Sequence, residues 1–315
     1  MKKADKKIGL TGSITHDLIT LPSGSKIESL GGVLYPASVL CGLERQVCLI
    51  INLAEELAPS VLSLKKEWLN REFNEVKMVP GPGNRVNLYY PRKGERQEIL
   101  ESVVPPLEPK WIISRLPDID FLILLMISGL DIKLRDWNKI KEKAECPIWM
   151  DIHSLVLSPE LGRLRKYISL PNWRDWVRGI DYLQANKQEA ACMMGSPEKN
   201  PNEKELYSLG ESALEEGIKA VFITLGEEGI LVVTPQESRK LKSTESNKVA
   251  DTTGCGDVFC GAVVSRLMEG EEVLKAGEFG LKLASEAVKT RGVQETFKMV
   301  QEFSFLNSKR GFHEK

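Results

Sequence analysis

The chain has 315 residues, with 43 Lys or Arg against 44 Asp or Glu, a formal net charge of −1. That balance offers no field to draw it to nucleic acid or an anionic membrane, so a small-molecule partner is expected. With 42% hydrophobic and 28% charged residues it falls among soluble globular chains, long enough for one large α/β domain or two ordinary ones.

The first predicted strand runs from Ile8 to Ile14 and ends in Gly12-Ser13-Ile14-Thr15-His16-Asp17. If the strand continues, Thr15 and Asp17 alternate onto one side and offer a hydroxyl and a carboxylate to a polyhydroxylated ligand; a solvated strand end is the plainer reading. Gly31-Gly32 then enters a small-residue helix from Val33 to Leu43, with Pro36 in its first turn. Paired glycines serve either a tight turn or close approach of the backbone to a ligand. After a strand from Val47 to Leu53, Arg85 to Tyr90 and Arg96 to Val103 form a predicted hairpin through Pro91-Arg92-Lys93-Gly94, standing off the main sheet as a lid. Val104 to Pro109 is expected to be a surface loop.

Phe121 to Ile127 is the next strand, followed by a helix from Ile132 to Lys143 and a strand from Ile148 to Asp151. His153, two residues on, is read first as solvent-facing and second as a contact to substrate or phosphate. The strand Tyr182 to Ala185 leads into Asn186-Lys187-Gln188-Glu189, where Asn186 and Glu189 are either a capping box or an oxygen pair for water-mediated Mg²⁺. A loop from Ser196 to Asn202 and a helix from Asn202 to Glu216 precede the strand Ala220 to Leu225. Its turn, Thr224 through Gly226 to Gly229, can meet phosphate oxygens with backbone donors and a hydroxyl, or simply close a hairpin from Gly229 to Thr234 and Arg239 to Val249.

Asp251-Thr252-Thr253-Gly254-Cys255-Gly256-Asp257 opens a helix from Asp257 to Met268, followed by one from Val273 to Lys289. A helix N-terminus presents unpaired N–H groups and the positive end of the macrodipole, and the two glycines remove the Cβ atoms that would block an anion. Asp257 either caps this helix or takes a proton from a group attacking a phosphate. Gly277, Gly280 and Ala284 on the last helix suit close helix packing.

Strands alternating with helices imply a mainly parallel sheet in one domain, residues 1–315, with no internal repeat. No apolar run is long enough to span a bilayer and no signal-type region follows Met1, so a cytoplasmic chain is expected. Six cysteines without C-x-x-C spacing are expected to be reduced. Three histidines and no H-E-x-x-H argue against zinc, and the lack of G-x-x-x-x-G-K-[ST] leaves any nucleotide to another device.

Taken together, Gly12 to Asp17, Gly31-Gly32, Asn186 with Glu189, the Thr224 turn and above all Asp251 to Asp257 with Cys260-Gly261-Ala262 resemble the PfkB-type, ribokinase-like carbohydrate kinases from about Ile8 to Val293. The resemblance implies an α/β, three-layer fold with a mainly parallel central sheet flanked by helices, and a small, shortened β-lid within about 15–32 and 84–104. It implies Asp257 as catalytic base, Gly254, Cys255 and Gly256 as anion hole, Thr15, Asp17, Gly31 and Gly32 as substrate-binding, and Thr224, Gly226 and Gly229 near ATP. Asn186 and Glu189 match the motif linked to Mg²⁺; Asp251, Thr253 and Gly292 fall where relatives bind a monovalent cation such as K⁺. The sequence departs from the family at Thr15 and Pro36, both asparagine in many relatives, at Cys255 where alanine is common, and at Asp151-Ile152-His153-Ser154. The implied activity is an ATP-dependent kinase acting on a hydroxyl of a sugar or sugar-like molecule. A nucleoside kinase of the same fold and a non-catalytic sensor or scaffold are the alternatives, and the family allows a homodimer.

Overall fold

Apolar runs without polar alternation become strands covered on both faces, as parallel βα units require. The computed structural model describes residues 6–68, 76–91, 96–243 and 250–310. The expected Pro91 to Gly94 loop beyond its first residue, and the end of the expected strand to Val249 beyond residue 243, lie outside the described residues.

The chain opens with β1 (Lys7–Thr11), β2 (Ile14–Thr20), β3 (Lys26–Gly32), α1 (Leu34–Gly42), β4 (Gln46–Ala54) and α2 (Ala58–Trp68). It continues with β5 (Val76–Val79), β6 (Asn84–Tyr89), β7 (Gln97–Ser102), α3 (Pro109–Ile113), β8 (Phe121–Leu125), α4 (Leu134–Lys141) and β9 (Ile148–Asp151). Next come α5 (Trp173–Val177), β10 (Tyr182–Asn186), α6 (Lys187–Met193), α7 (Glu203–Leu214), β11 (Ala220–Thr224), β12 (Ile230–Val233) and β13 (Ser238–Leu241). Helices α8 (Cys255–Glu269), α9 (Val273–Ala287) and α10 (Gly292–Arg310) close the fold.

Nine strands make the large sheet in the order β13-β12-β11-β10-β9-β8-β1-β4-β5, parallel from β5 to β11 and antiparallel at β12 and β13. Side chains alternate between two cores. Phe121, Ile123 and Leu125 join one core with Trp149, Phe222 and Phe259, while Leu122 and Leu124 join the other with Trp137 and Met150. Helix layers on both faces give the ribokinase-like α/β architecture. Among the described residues, no helix is long and apolar enough to cross a membrane.

The remaining four strands pair as β3-β2-β6-β7 and form the lid. Ile19, Val86, Leu88 and Leu100 give it a small core of its own. Here the expected single strand from Ile8 to Ile14 is corrected: β1 stops at Thr11, and Ile14 begins a new strand in the second sheet. Gly12 makes the turn at φ +144°, with Leu125 O only 2.5 Å from where a Cβ would stand, so a larger residue would not fit this exit from the sheet. Gly32 (φ +65°) faces this junction, and the amide of Val33 donates to Ser13 O at 3.1 Å.

Two of the helices that pattern reading passed over are α2 and α10, although Val293, Phe297 and Val300 form a buried stripe at helical spacing in α10. The small face of α9 serves packing: a Cβ on Gly280 would lie 2.5 Å from Val263 and 2.9 Å from Phe259 of α8. No disulfide joins any of the six cysteines among the described residues.

Candidate active site

The C-terminal ends of β9, β10 and β11 face the N-terminus of α8, the place where open α/β sheets hold ligands. A cavity of about 210 Å³ lies there, lined by Asp151, Gln184, Asn186, Glu189 and Thr224 together with residues 254–257. A second of about 60 Å³ sits under the lid against Thr15, Asp17, Gly32 and Tyr35. Arg96, His153, Gly254 and Asp257 line both.

Gly254 is the N-cap of α8 in a left-handed conformation, φ +77°. A Cβ there would meet the Tyr35 ring at 2.5 to 2.6 Å, so the tyrosine packs directly on the glycine turn and leaves no room for a side chain. Asp257 falls in the first turn but makes no cap bond, which removes the capping reading. Its carboxylate is buried, and Oδ1 has no hydrogen-bond partner among the described residues. Burial, then the negative charge of Asp151, hold Asp257 well above the usual carboxylate range, with Arg96 opposing. The Cys255 thiol is pushed up to about 12, chiefly by burial, so it is no nucleophile at neutral pH.

Asn186 and Glu189 form the full capping box of α6. The Glu189 amide donates to Asn186 Oδ1 at 2.8 Å and the Asn186 amide to Glu189 Oε2 at 2.7 Å. Glu189 nonetheless lines the larger cavity, buried, with its carboxyl raised to about 8 by burial and, secondarily, by Asp257. Asp151 is likewise raised by burial and by Glu189.

The lid supplies the other wall. Thr15 and Asp17 do share a face of β2, and both are buried. Burial lifts Asp17 to about 7 against the Thr15 hydroxyl and Arg96, which favour its charge. Gly31 lies opposite Thr15, where a Cβ would come within 2.5 Å of Asp17 Oδ2 and 2.8 Å of Thr15 Oγ1.

Other expected residues are placed differently. His153 is part-buried rather than fully solvent-facing: the turn after β9 draws it inward at φ +42°, its amide donating to Asp151 Oδ1 at 3.2 Å and Nδ1 contacting Ser154 Oγ at 2.9 Å. Burial lowers its pKa to about 4, so the imidazole is neutral at neutral pH. Of the nucleotide turn only Thr224 lines the cavity. Gly229 answers to the hairpin, since a Cβ would stand 2.0 Å from Leu241 O. Asp251, Arg291 and Gly292 line a different, larger cavity of about 880 Å³, while the Thr253 hydroxyl pairs with Tyr90 of the lid at 2.6 Å. The Thr253 amide donates to Asp251 Oδ1 at 2.8 Å.

Tyr35, Gln184, Arg96 and Glu98 carry no motif and were not anticipated. Glu98 links two arginines: Oε2 lies 3.5 Å from Arg96 Nη2 and Oε1 3.0 Å from Arg165 Nη1. Arg165 is buried and also donates to Ser128 O at 2.9 Å and Ser158 O at 3.0 Å. Its segment runs beside β7, the Gly162 amide donating to Leu100 O and the Arg165 amide to Glu98 O, each at 2.9 Å.

Comparison with known proteins follows the same outline. Residues 155–299 match the pfkB family of carbohydrate kinases. Ribokinase of Staphylococcus aureus is 35% identical over 135 residues, 42% of this chain and 43% of that protein. The matched segment thus spans about two fifths of the curated relatives' length. Two solved structures share the fold over nearly the whole chain. Ribokinase from Giardia lamblia has a TM-score of 0.76 at 19% identity, covering 98% of this chain and 99% of that one. A nucleoside kinase from Burkholderia thailandensis, in complex with inosine, has a TM-score of 0.72 at 16% identity, covering 95% and 97%. The C-terminal part of this chain is thus similar to the pfkB family of carbohydrate kinases, and the ribokinase-like fold runs through the whole of it.

Proposed function

We propose that this chain moves the γ-phosphoryl group of ATP to a hydroxyl of a sugar or sugar-like small molecule. The observation that carries this reading is the buried carboxylate of Asp257, with an oxygen left unpaired where two cavities meet beside the amide end of α8. An unpaired buried carboxylate is costly, and a hydroxyl donating to it would relieve that cost as it loses its proton. Thr15 and Asp17 hold the acceptor, and the backbone amides of Gly254, Cys255 and Gly256 meet charge developing on the phosphoryl oxygens. The donor nucleotide lies on the Thr224 side, with Gly226 and Gly229 shaping the turn beyond it.

The 210 Å³ cavity also presents Gln184 Oε1, which has no hydrogen-bond partner among the described residues, together with the Glu189 and Asp151 carboxyls. That oxygen-rich wall fits the water shell of a divalent ion, and Asn186, Glu189 and Asp151 would hold Mg²⁺ through its waters. When bound, Mg²⁺ supplies neutralisation of the phosphate oxygens. Asp251, Thr253 and Gly292 would hold a monovalent cation through Asp251 and main-chain carbonyls.

The test is Asp257→Asn, assayed with labelled ATP against pentoses, hexoses, sugar phosphates and nucleosides. Loss of about 10²- to 10⁴-fold in kcat is expected, with MgATP affinity by calorimetry within about threefold. Near-normal turnover would sink the base assignment. A second reading, a nucleoside acceptor, draws on the 880 Å³ cavity bounded by Tyr90 and Thr252, which gives room for a base beside the acceptor site. Nucleosides outrunning free sugars in the same panel would select it. Inert wild-type protein across the panel would favour the sensor or scaffold alternative.

A further inference from the structure

The two cavities divide the chemistry, with anion-hole and β10–β11 residues around one and lid residues Thr15 and Asp17 around the other. A group passing between them must pass the side chains that line both. Those are Arg96, His153 and Asp257, beside the backbone of Gly254. One is a carboxylate and one an imidazole kept neutral by burial. Arg96 is the permanent cation among the described residues of either lining, in a site otherwise rich in carboxyls.

Its placement is built. Arg96 immediately precedes β7, its guanidinium is held by Glu98, and Glu98 is fixed in turn by buried Arg165, whose other donors tie to Ser128 O and Ser158 O in the segments that follow β8 and β9. An arginine whose only task was to balance Glu98 would be redundant, because Arg165 already pairs with that carboxylate at 3.0 Å.

We infer that Arg96 is a catalytic residue, a lid-borne guanidinium that meets the non-bridging oxygens of the phosphoryl group in transit. The inference rests on the phosphotransfer reading above. In the step it serves, the acceptor oxygen bonds to the γ-phosphorus and the bond from that phosphorus to the β–γ bridging oxygen breaks, its electron pair leaving with ADP. The acceptor proton passes to the Asp257 carboxylate. Arg96 forms no covalent bond; its fork of donors matches phosphoryl oxygens as the charge spreads over them.

The experiment compares wild type, Arg96→Gln and Arg96→Lys by calorimetry with MgADP and with MgADP plus aluminium fluoride, a phosphoryl mimic that needs neither acceptor nor base. Arg96→Gln is expected to leave MgADP binding within about threefold while losing about 30-fold or more for the aluminium fluoride complex, with Arg96→Lys in between. On an acceptor that wild type phosphorylates, kcat should fall by about 10²- to 10³-fold with the acceptor KM changed less than about fivefold. Because Glu98 keeps Arg165, the variants should fold, which circular dichroism and thermal unfolding check. Arg96→Gln binding the aluminium fluoride complex as tightly as wild type would overturn the proposal, as would a raised acceptor KM at unchanged kcat. The phosphotransfer reading fails separately, through Asp257→Asn retaining full turnover.

Discussion

Replacing Asp17 with Asn should stabilise the ligand-free protein, and by an amount that grows with pH. Asp17 lies on β2, buried, with its pKa moved from 3.8 to about 7, chiefly by burial. The folded state therefore holds this proton more tightly than the unfolded chain. Its stabilising contribution is complete below 3.8 and is lost as pH rises through about 7. A gap of roughly three units, at about 1.4 kcal/mol each, makes the folded state about 4 kcal/mol worse off at pH 8 or so than in acid. Asn matches the shape of the protonated acid without the titration. Over 315 residues, an unfolding entropy of about 2.1 cal/mol/K per residue turns 4 kcal/mol into roughly 6 °C. Urea and thermal unfolding of both proteins at several pH values from about 4.5 to 8 would measure it, with Asp17→Asn about 1 kcal/mol ahead at the acid end and about 4 kcal/mol ahead at the alkaline end. Other buried carboxyls, Glu189 among them, titrate in both proteins and cancel in the difference. A difference that stays flat across that range, or one that shrinks as pH rises, would refute the reasoning.

Because Asp257 is held well above the usual carboxylate range and must be ionised to accept a proton, the acid limb of kcat/KM should lie above that range; a limb at the pH of an ordinary aspartate would contradict it. Gly254→Ala combines about 1–2 kcal/mol for a left-handed alanine with about 1–3 kcal/mol of crowding against Tyr35, and Tyr35→Ala in the same chain should return part of the second cost in denaturant titration. Cys255→Ala should keep kcat within about threefold, since only the backbone of this residue is expected to act, and the wild-type thiol should react slowly with Ellman's reagent near pH 8. Glu98→Gln leaves buried Arg165 without its counter-charge and should cost about 3–5 kcal/mol, read as a lower urea midpoint with faster hydrogen exchange in β7.

What could be read from sequence depended on how far apart the cooperating residues lie. The anion turn is contiguous: Gly254, Gly256 and Asp257 act at one helix end, so local pattern carried it. Strands β8 and β9 were equally plain, being apolar on both faces between polar boundaries. The run from Ile8 to Ile14 concealed its break because both halves are apolar, and the change of sheet is a property of Gly12 and its crowded surroundings. His153 was misjudged because its burial comes from the inward turn and the lid above it. Arg96 and Tyr35 were invisible for the same reason: one reaches the cleft from the lid and the other props a turn much later in the chain. The stripe in α10, Val293, Phe297 and Val300, is legible in the letters at helical spacing.

The lid's attachments decide what it can still do. Along its root it is fixed where Gly12 and Gly32 meet and Val33 bonds Ser13, and on the opposite edge β7 is laced to the segment from Gly162 to Arg165. A panel fastened on two sides cannot swing like a door. What remains is torsion about its diagonal, greatest at the corner where residues 22–26 turn through solvent beyond the tie from Tyr90 to Thr253. Twisting that corner would lift Ile19 and Ile27 from the 880 Å³ space while barely displacing Thr15 and Asp17 beside the root, so a passage could widen without the acceptor residues losing their aim.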